Sequence, residues 1–139
     1  MDPPTRPGPR MDVLVAIAVG GVLGAEARYG VGLAIPHPAA GWPWSTLVVN
    51  VSGCVLIGVL MVVITELTTA HRLVRPFLGV GVLGGYTTFS TATLETLTLL
   101  DAGRPVAALG YVVVTPVLAV LACAAGAVAT RRIGRRWAG

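Results

Sequence analysis

Four long apolar stretches dominate the chain, roughly Val13–Ile35, Thr46–Ile64, Phe77–Leu100 and Val106–Ala129. Each comes close to or exceeds the ~20 residues that an α-helix needs to cross the hydrocarbon core of a bilayer. Inside lipid every peptide N–H and C=O must be satisfied by the protein, so a spanning segment is either a helix or a strand of a closed barrel. Barrel-type alternation is absent, and the expected fold is an all-α membrane protein of four transmembrane helices. Composition agrees: 55% of the residues are hydrophobic and 12% charged, about half the charged share of a soluble domain. The organisation expected is a disordered Pro- and Arg-rich tail over 1–11, one four-helix unit over 12–130 and a basic tail over 131–139. Met1 and Met11 are both candidate starts, and a cleaved signal peptide is not expected because the first stretch is too long and lacks a clear cleavage site.

The charges carry direction. All ten basic residues are arginine, and eight lie in the N-terminal tail (Arg6, Arg10), the second connection (Arg72, Arg75) and the C-terminal tail (Arg131, Arg132, Arg135, Arg136). With four spans these regions share one side; the other side has Arg104 alone, with Arg28 near the outer end of the first span. Positive residues are retained in the cytoplasm, so both termini are expected there, in a multi-pass protein of the cell membrane. Four arginines beside a span mark orientation and lipid contact more simply than nucleic-acid binding. Cys54 and Cys123 fall inside spans, where a thiol acts as a small hydrophobe, and neither a disulfide nor a metal site is expected from them. His37 and His71 lie in connections. No Ser–His–acid set and no phosphate-binding loop is visible, so no enzyme is expected.

Polar residues inside the spans are the candidates for function. The first span contains GGVLGAEARYG, in which Gly20 and Gly24 form a GxxxG pair suited to close helix packing. Glu26 and Arg28 then stand near the helix end, either lining an aqueous vestibule or serving as a structural polar pair. Trp42 and Trp44 mark the outer interface. In the second span, STLVVNVSG, Ser45 or Thr46 is placed to cap the helix. Asn50 is open to two readings: glue between helices, or an amide donor facing an anion. The third span holds GGYTTFST, residues 84–91. Gly84 and Gly85 weaken the helix and the hydroxyls can satisfy groups released by a break, so this helix is expected to be broken near its middle. Threonines can merely bond back to their own helix, but that leaves the paired glycines and Phe89 unexplained, and an ion site is the favoured reading. Thr91, Glu95 and Thr98 share a face beyond the break, and in the fourth span Tyr111 and Thr115 stand one turn apart, with Ala119 continuing the line and Pro116 disturbing the backbone ladder.

Taken together in this order, GGVLGAEARY, STLVVNVSG and GVLGGYTTFST resemble the Fluc fluoride channels, also called CrcB, over roughly residues 12–128. The resemblance implies a fluoride-specific channel through which fluoride leaves the cytoplasm passively, relieving its toxicity, assembled as an antiparallel dual-topology dimer with two narrow pathways. It implies that Gly84 and Thr87 offer backbone carbonyls to a central structural sodium ion, which is not transported. It implies a pathway lined by Asn50, Phe89, Ser90, Thr91, Tyr111 and Thr115, with Glu95, Glu26 and Arg28 as vestibule or structural polar residues. The family usually reads TTFSTF where this chain has TTFSTA, so Ala92 stands where a second pore phenylalanine is expected. The arginine bias also favours a single orientation, and the two departures together point to a partner: a paralogue of opposite topology, with a homodimer as the other possibility. Two other classes compete. In a small proton-coupled multidrug antiporter Glu26 would bind the cations, but Tyr29 is the one aromatic residue of the first span and makes a poor cage. In a non-transporting scaffold the glycines and threonines would only pack.

Overall fold

The computed structural model describes residues 10–38 and 40–137. The tail expected over 1–11 therefore lies, apart from Arg10 and Met11, outside the described residues. Each apolar stretch is helical. The first forms α1, Met11–Ala34. The second forms α2, Trp44–Val62, continued by a wider π turn over Val63–Leu67. The third is divided: α3 consists of a π-helical segment Arg75–Leu83 that runs directly into a turn of α-helix Gly84–Tyr86, and α4 covers Ser90–Asp101. The last forms α5, Pro105–Trp137. The described residues contain no strand. The second and last helices, Trp44–Leu67 and Pro105–Arg136, reach a mean hydropathy of 2.7 and 2.4 over an 18-residue stretch and are long and apolar enough by themselves to cross a membrane.

Small residues decide how the helices pair. A Cβ added at Gly20 would strike the Phe77 carbonyl, one at Gly24 the Val82 carbonyl, one at Gly81 the Ile17 carbonyl and one at Gly85 the Gly21 carbonyl. Backbone therefore lies on backbone along α1 and α3, as small residues permit between helices in lipid. The same device joins α2 to α5, where Gly58 faces the Cys123 carbonyl and Gly126 the Val55 carbonyl. Helix α4 folds back on α5 through a turn in which Gly103 takes φ +70°, a conformation that glycine adopts without strain. Their contact is an apolar cluster of Leu47, Ala92, Leu99, Ala108 and Tyr111.

Ion pairs tie the ends together. Arg72 meets Asp12 at 2.5 Å, and Arg131 grips Glu66 through Nε at 2.9 Å and Nη2 at 2.7 Å. The start of α1, the α2–α3 connection and the last turns of α5 thus gather at one end, with the arginine-rich segments among them. At the opposite end Arg104 donates to the Ala40 carbonyl, joining the two other connections.

Candidate functional site

The break in the third stretch is held by two side chains. The glycine pair is its expected weak point, yet Gly84 and Gly85 are both helical and the non-helical residues are Thr87, Thr88 and Phe89. Gly85 is needed for the close approach to α1, whereas a Cβ at Gly84 would meet nothing within 4 Å. Asn50 on α2 clamps the Thr88 peptide from both sides: its Nδ2 donates to the Thr88 carbonyl at 2.9 Å and its Oδ1 accepts from the Thr88 amide at 2.8 Å. Thr88 itself caps α4, its Oγ1 accepting from the Thr91 amide at 3.2 Å, as a hydroxyl just ahead of a helix commonly does.

These bonds release two particular carbonyls. In an unbroken helix the Thr88 amide would bond Gly84 and the Thr91 amide would bond Thr87. Both amides are diverted, to Asn50 and to the Thr88 hydroxyl. The Gly84 and Thr87 oxygens are left without their helical donors; Thr87 accepts only a long bond from Arg28 Nη1 at 3.3 Å. Hard carbonyl oxygens of this kind suit a hard cation such as sodium, so the donor chemistry at these two residues fits the ion that the sequence resemblance implies.

Beside the clamp lies a cavity of about 360 Å³, walled by Asn50, Thr88, Phe89, Ala92, Tyr111 and Thr115 among others. The Thr115 Oγ1 is buried there without a hydrogen-bond partner among the described residues. Pro116, also on the wall, has no N–H to give the carbonyl one turn earlier. Phe89 is 87% exposed on its own chain, and its ring stands at the open side of the cavity. Ala92 is buried in the apolar cluster between α4 and α5. The hydroxyls of α4 behave differently from that of Thr115: Thr93, Thr96 and Thr98 bond back to Phe89, Ala92 and Leu94. Ser90 lies 3.4 Å from the Thr88 hydroxyl, which also donates to Thr91 Oγ1 at 3.0 Å.

A second cavity of about 220 Å³ adjoins the other side of Thr88, lined by Arg28, Ser45, Thr46, Thr91 and Glu95 among others. Glu95 connects the two spaces. It accepts from Thr46 Oγ1 at 2.7 Å and from the buried Tyr111 hydroxyl at 2.8 Å. Tyr111 is fixed by the edge of Trp42, ring centroids 5.6 Å apart at 84°. Thr46 is thus engaged with Glu95 rather than capping α2, which starts at Trp44 with no side-chain cap. Glu26, in contrast, is exposed on α1 and borders neither of these two cavities.

The structure therefore brings Asn50, Phe89, Tyr111 and Thr115 to one cavity and Arg28, Thr91 and Glu95 to the other. Sequence reasoning missed Thr88, although a hydroxyl residue ahead of an apolar helical run is a readable cap signal. It also missed Thr46 and His37 as partners of Glu95, and no local pattern announces those contacts.

An all-helical protein with apolar walls and a seam of polar groups around a broken helix belongs among membrane proteins that handle small ions. Residues 15–127 match the family described as CrcB-like protein, Camphor Resistance (CrcB), and the chain belongs to that family. Among curated relatives, the fluoride-specific ion channel FluC 1 of Streptomyces coelicolor is 50% identical over 132 residues, covering 94% of this chain and 86% of that protein. The fluoride-specific ion channel FluC 2 of Nocardia farcinica is 54% identical over 120 residues, with coverages of 86% and 82%. A protein of the same description from Thermobifida fusca is 49% identical over 118 residues, 85% of this chain and 87% of the relative.

Proposed function

We propose that this chain is a subunit of a fluoride-specific ion channel of the cell membrane, through which fluoride leaves the cytoplasm down its electrochemical gradient. Half-identical relatives described as fluoride-specific channels support the reading. The observation that carries it is the Thr115 hydroxyl, buried without a partner on a cavity that Asn50 and Phe89 also line. A buried polar group without a partner costs stability, and an anion that accepts from it removes the cost. Fluoride is small and strongly hydrated, so it enters only where donors replace its water. The Thr115 hydroxyl supplies one. Asn50 has a second, since one of its two amide hydrogens is used on Thr88. The edge of Phe89 contributes the positive rim of its quadrupole. Thr91 and Ser90 stand at the mouth of the break, where water is replaced stepwise.

The Gly84 and Thr87 carbonyls would hold the structural sodium ion. When bound, it would offset the partial negative charge of those carbonyls at the break. Two oxygens from one chain do not complete a coordination shell, so the proposal includes a second chain supplying the rest. Phe89 fits that arrangement, since its ring finds little cover on its own chain, and so does Gly84, whose Cα faces open space. The second chain is an oppositely oriented paralogue, because the arginine-rich segments gather at one end and favour a single orientation for this one. Efflux of fluoride from liposomes tests the reading, with chloride and a lipophilic cation as controls, using this chain alone and then with such a paralogue. Fluoride-selective efflux in either preparation supports the channel; its absence in both sinks it.

A further inference from the structure

The carboxylate of Glu95 is a negative charge one hydrogen bond, through the Tyr111 hydroxyl, from the cavity that, on the reading above, carries an anion. It borders the smaller cavity with Arg28 and Thr46, and from the α1–α2 connection His37 turns Nε2 toward its Oε1 at 3.7 Å. The other ring nitrogen, Nδ1, lies 3.2 Å from the Pro38 carbonyl. Both neighbours of this imidazole are acceptors. A neutral ring owns one N–H and one lone pair, so it satisfies one neighbour and sets its lone pair against the other. The imidazolium donates to the carbonyl and sets its positive charge against the carboxylate. The two side chains are only 19% and 17% exposed, so water screens the pair less than it would on an open surface.

We propose that His37 is a positioning residue at the mouth of the anion path: protonated, it cancels and holds the Glu95 carboxylate; neutral, it leaves that charge facing the cleft, and fluoride passage slows. The inference rests on the channel reading. The charged or titratable groups around the pair are Arg28 on α1, whose guanidinium is directed to Thr87; Tyr111 on α5, which donates to the other Glu95 oxygen; and Arg104 before α5, which binds Ala40 in the same connection as His37. Of these side-chain types only histidine ordinarily changes charge between about pH 5 and 8. The sign is fixed: raising the pH removes the imidazolium, so flux falls.

The test is fluoride efflux from liposomes carrying the conducting assembly, at equal pH on both sides from 5.5 to 8, with protein-free liposomes subtracting the passive loss of hydrogen fluoride. Flux through the wild type falls roughly three- to tenfold across this range, the size of one screened charge near a surface, while His37→Gln gives a flat profile. An equal slope in His37→Gln, or a flat wild type, overturns the proposal. A second measurement does not depend on conduction. The chain has two histidines, so His71 serves as the internal reference in ¹⁵N-histidine spectra and His37→Gln assigns the other signal. Introducing Glu95→Gln moves the His37 ring signals while those of His71 stay in place; unmoved His37 signals overturn the pairing. Absence of fluoride flux at every pH tells against the channel reading instead, and the ring spectra then decide whether His37 and Glu95 act together.

Discussion

Replacing Asn50 by alanine removes both partners of the Thr88 peptide at once. Each buried group left without a partner costs about 1–3 kcal/mol, so Asn50→Ala is expected to lose roughly 2–5 kcal/mol of stability, read by unfolding in detergent, together with fluoride flux. Thr115 presents the opposite case. Its hydroxyl satisfies nothing in the folded chain, and Thr115→Val keeps the shape while removing the polar atom. Stability is expected to hold or to rise by up to about 1 kcal/mol. Fluoride efflux should drop about tenfold, the cost of one lost hydrogen bond to an ion. A variant that unfolds as readily as Asn50→Ala, or one that conducts normally, would show that the Thr115 hydroxyl belongs to packing.

At the scale of helices, the pair in GGYTTFST divides its work. Gly85 lies against the Gly21 carbonyl, while a Cβ at Gly84 meets open space. Gly85→Ala is therefore expected to separate α1 from α3 and to destabilise the chain by about 1–3 kcal/mol, as overpacking does. Gly84→Ala should leave the subunit's unfolding within about 0.5 kcal/mol of wild type and instead weaken association with a second chain, measured by single-molecule photobleaching in bilayers. This division was not legible in the sequence, where both glycines read as helix breakers. The helical stretches were legible because hydrocarbon imposes length and apolarity on a spanning segment, and the existence of the break was legible because glycines and hydroxyls cluster in residues 84–91. Its position was not, since a contact across 38 residues between Asn50 and Thr88 fixes it. For the same reason Asn50 and Tyr111 could be named as polar candidates. That Asn50 holds a backbone and Tyr111 holds Glu95 emerged only when the helices were packed.

For the whole molecule, orientation is the property on which the proposed antiparallel assembly turns. Helix α5 has 33 residues, roughly 50 Å at the usual rise, against about 30 Å of hydrocarbon. Its final turns therefore extend past the bilayer core and carry Arg131, Arg132, Arg135 and Arg136 with them. Arg131 is drawn back to Glu66, whereas Arg132, Arg135 and Arg136 are exposed and remain available to retain this end in the cytoplasm. Arg72 and Arg75 lie at the same end, and among the described residues the opposite end has Arg104, already engaged with Ala40, and Arg28 near the outer end of α1, directed to Thr87. One orientation should then account for most copies, with the C-terminus cytoplasmic, as read by labelling of an engineered C-terminal cysteine with a membrane-impermeant reagent. An antiparallel pair cannot form from copies that all insert the same way, so this chain expressed alone should yield little fluoride efflux, and co-expression with a paralogue of reversed arginine bias should restore it. Substituting Arg132, Arg135 and Arg136 with glutamine weakens the bias. If orientation governs pairing, that triple variant gains efflux by itself. If it labels on both sides and still fails to conduct, the missing contribution is chemical, and Ala92, on the cavity wall where a second phenylalanine is expected, is the first candidate for it.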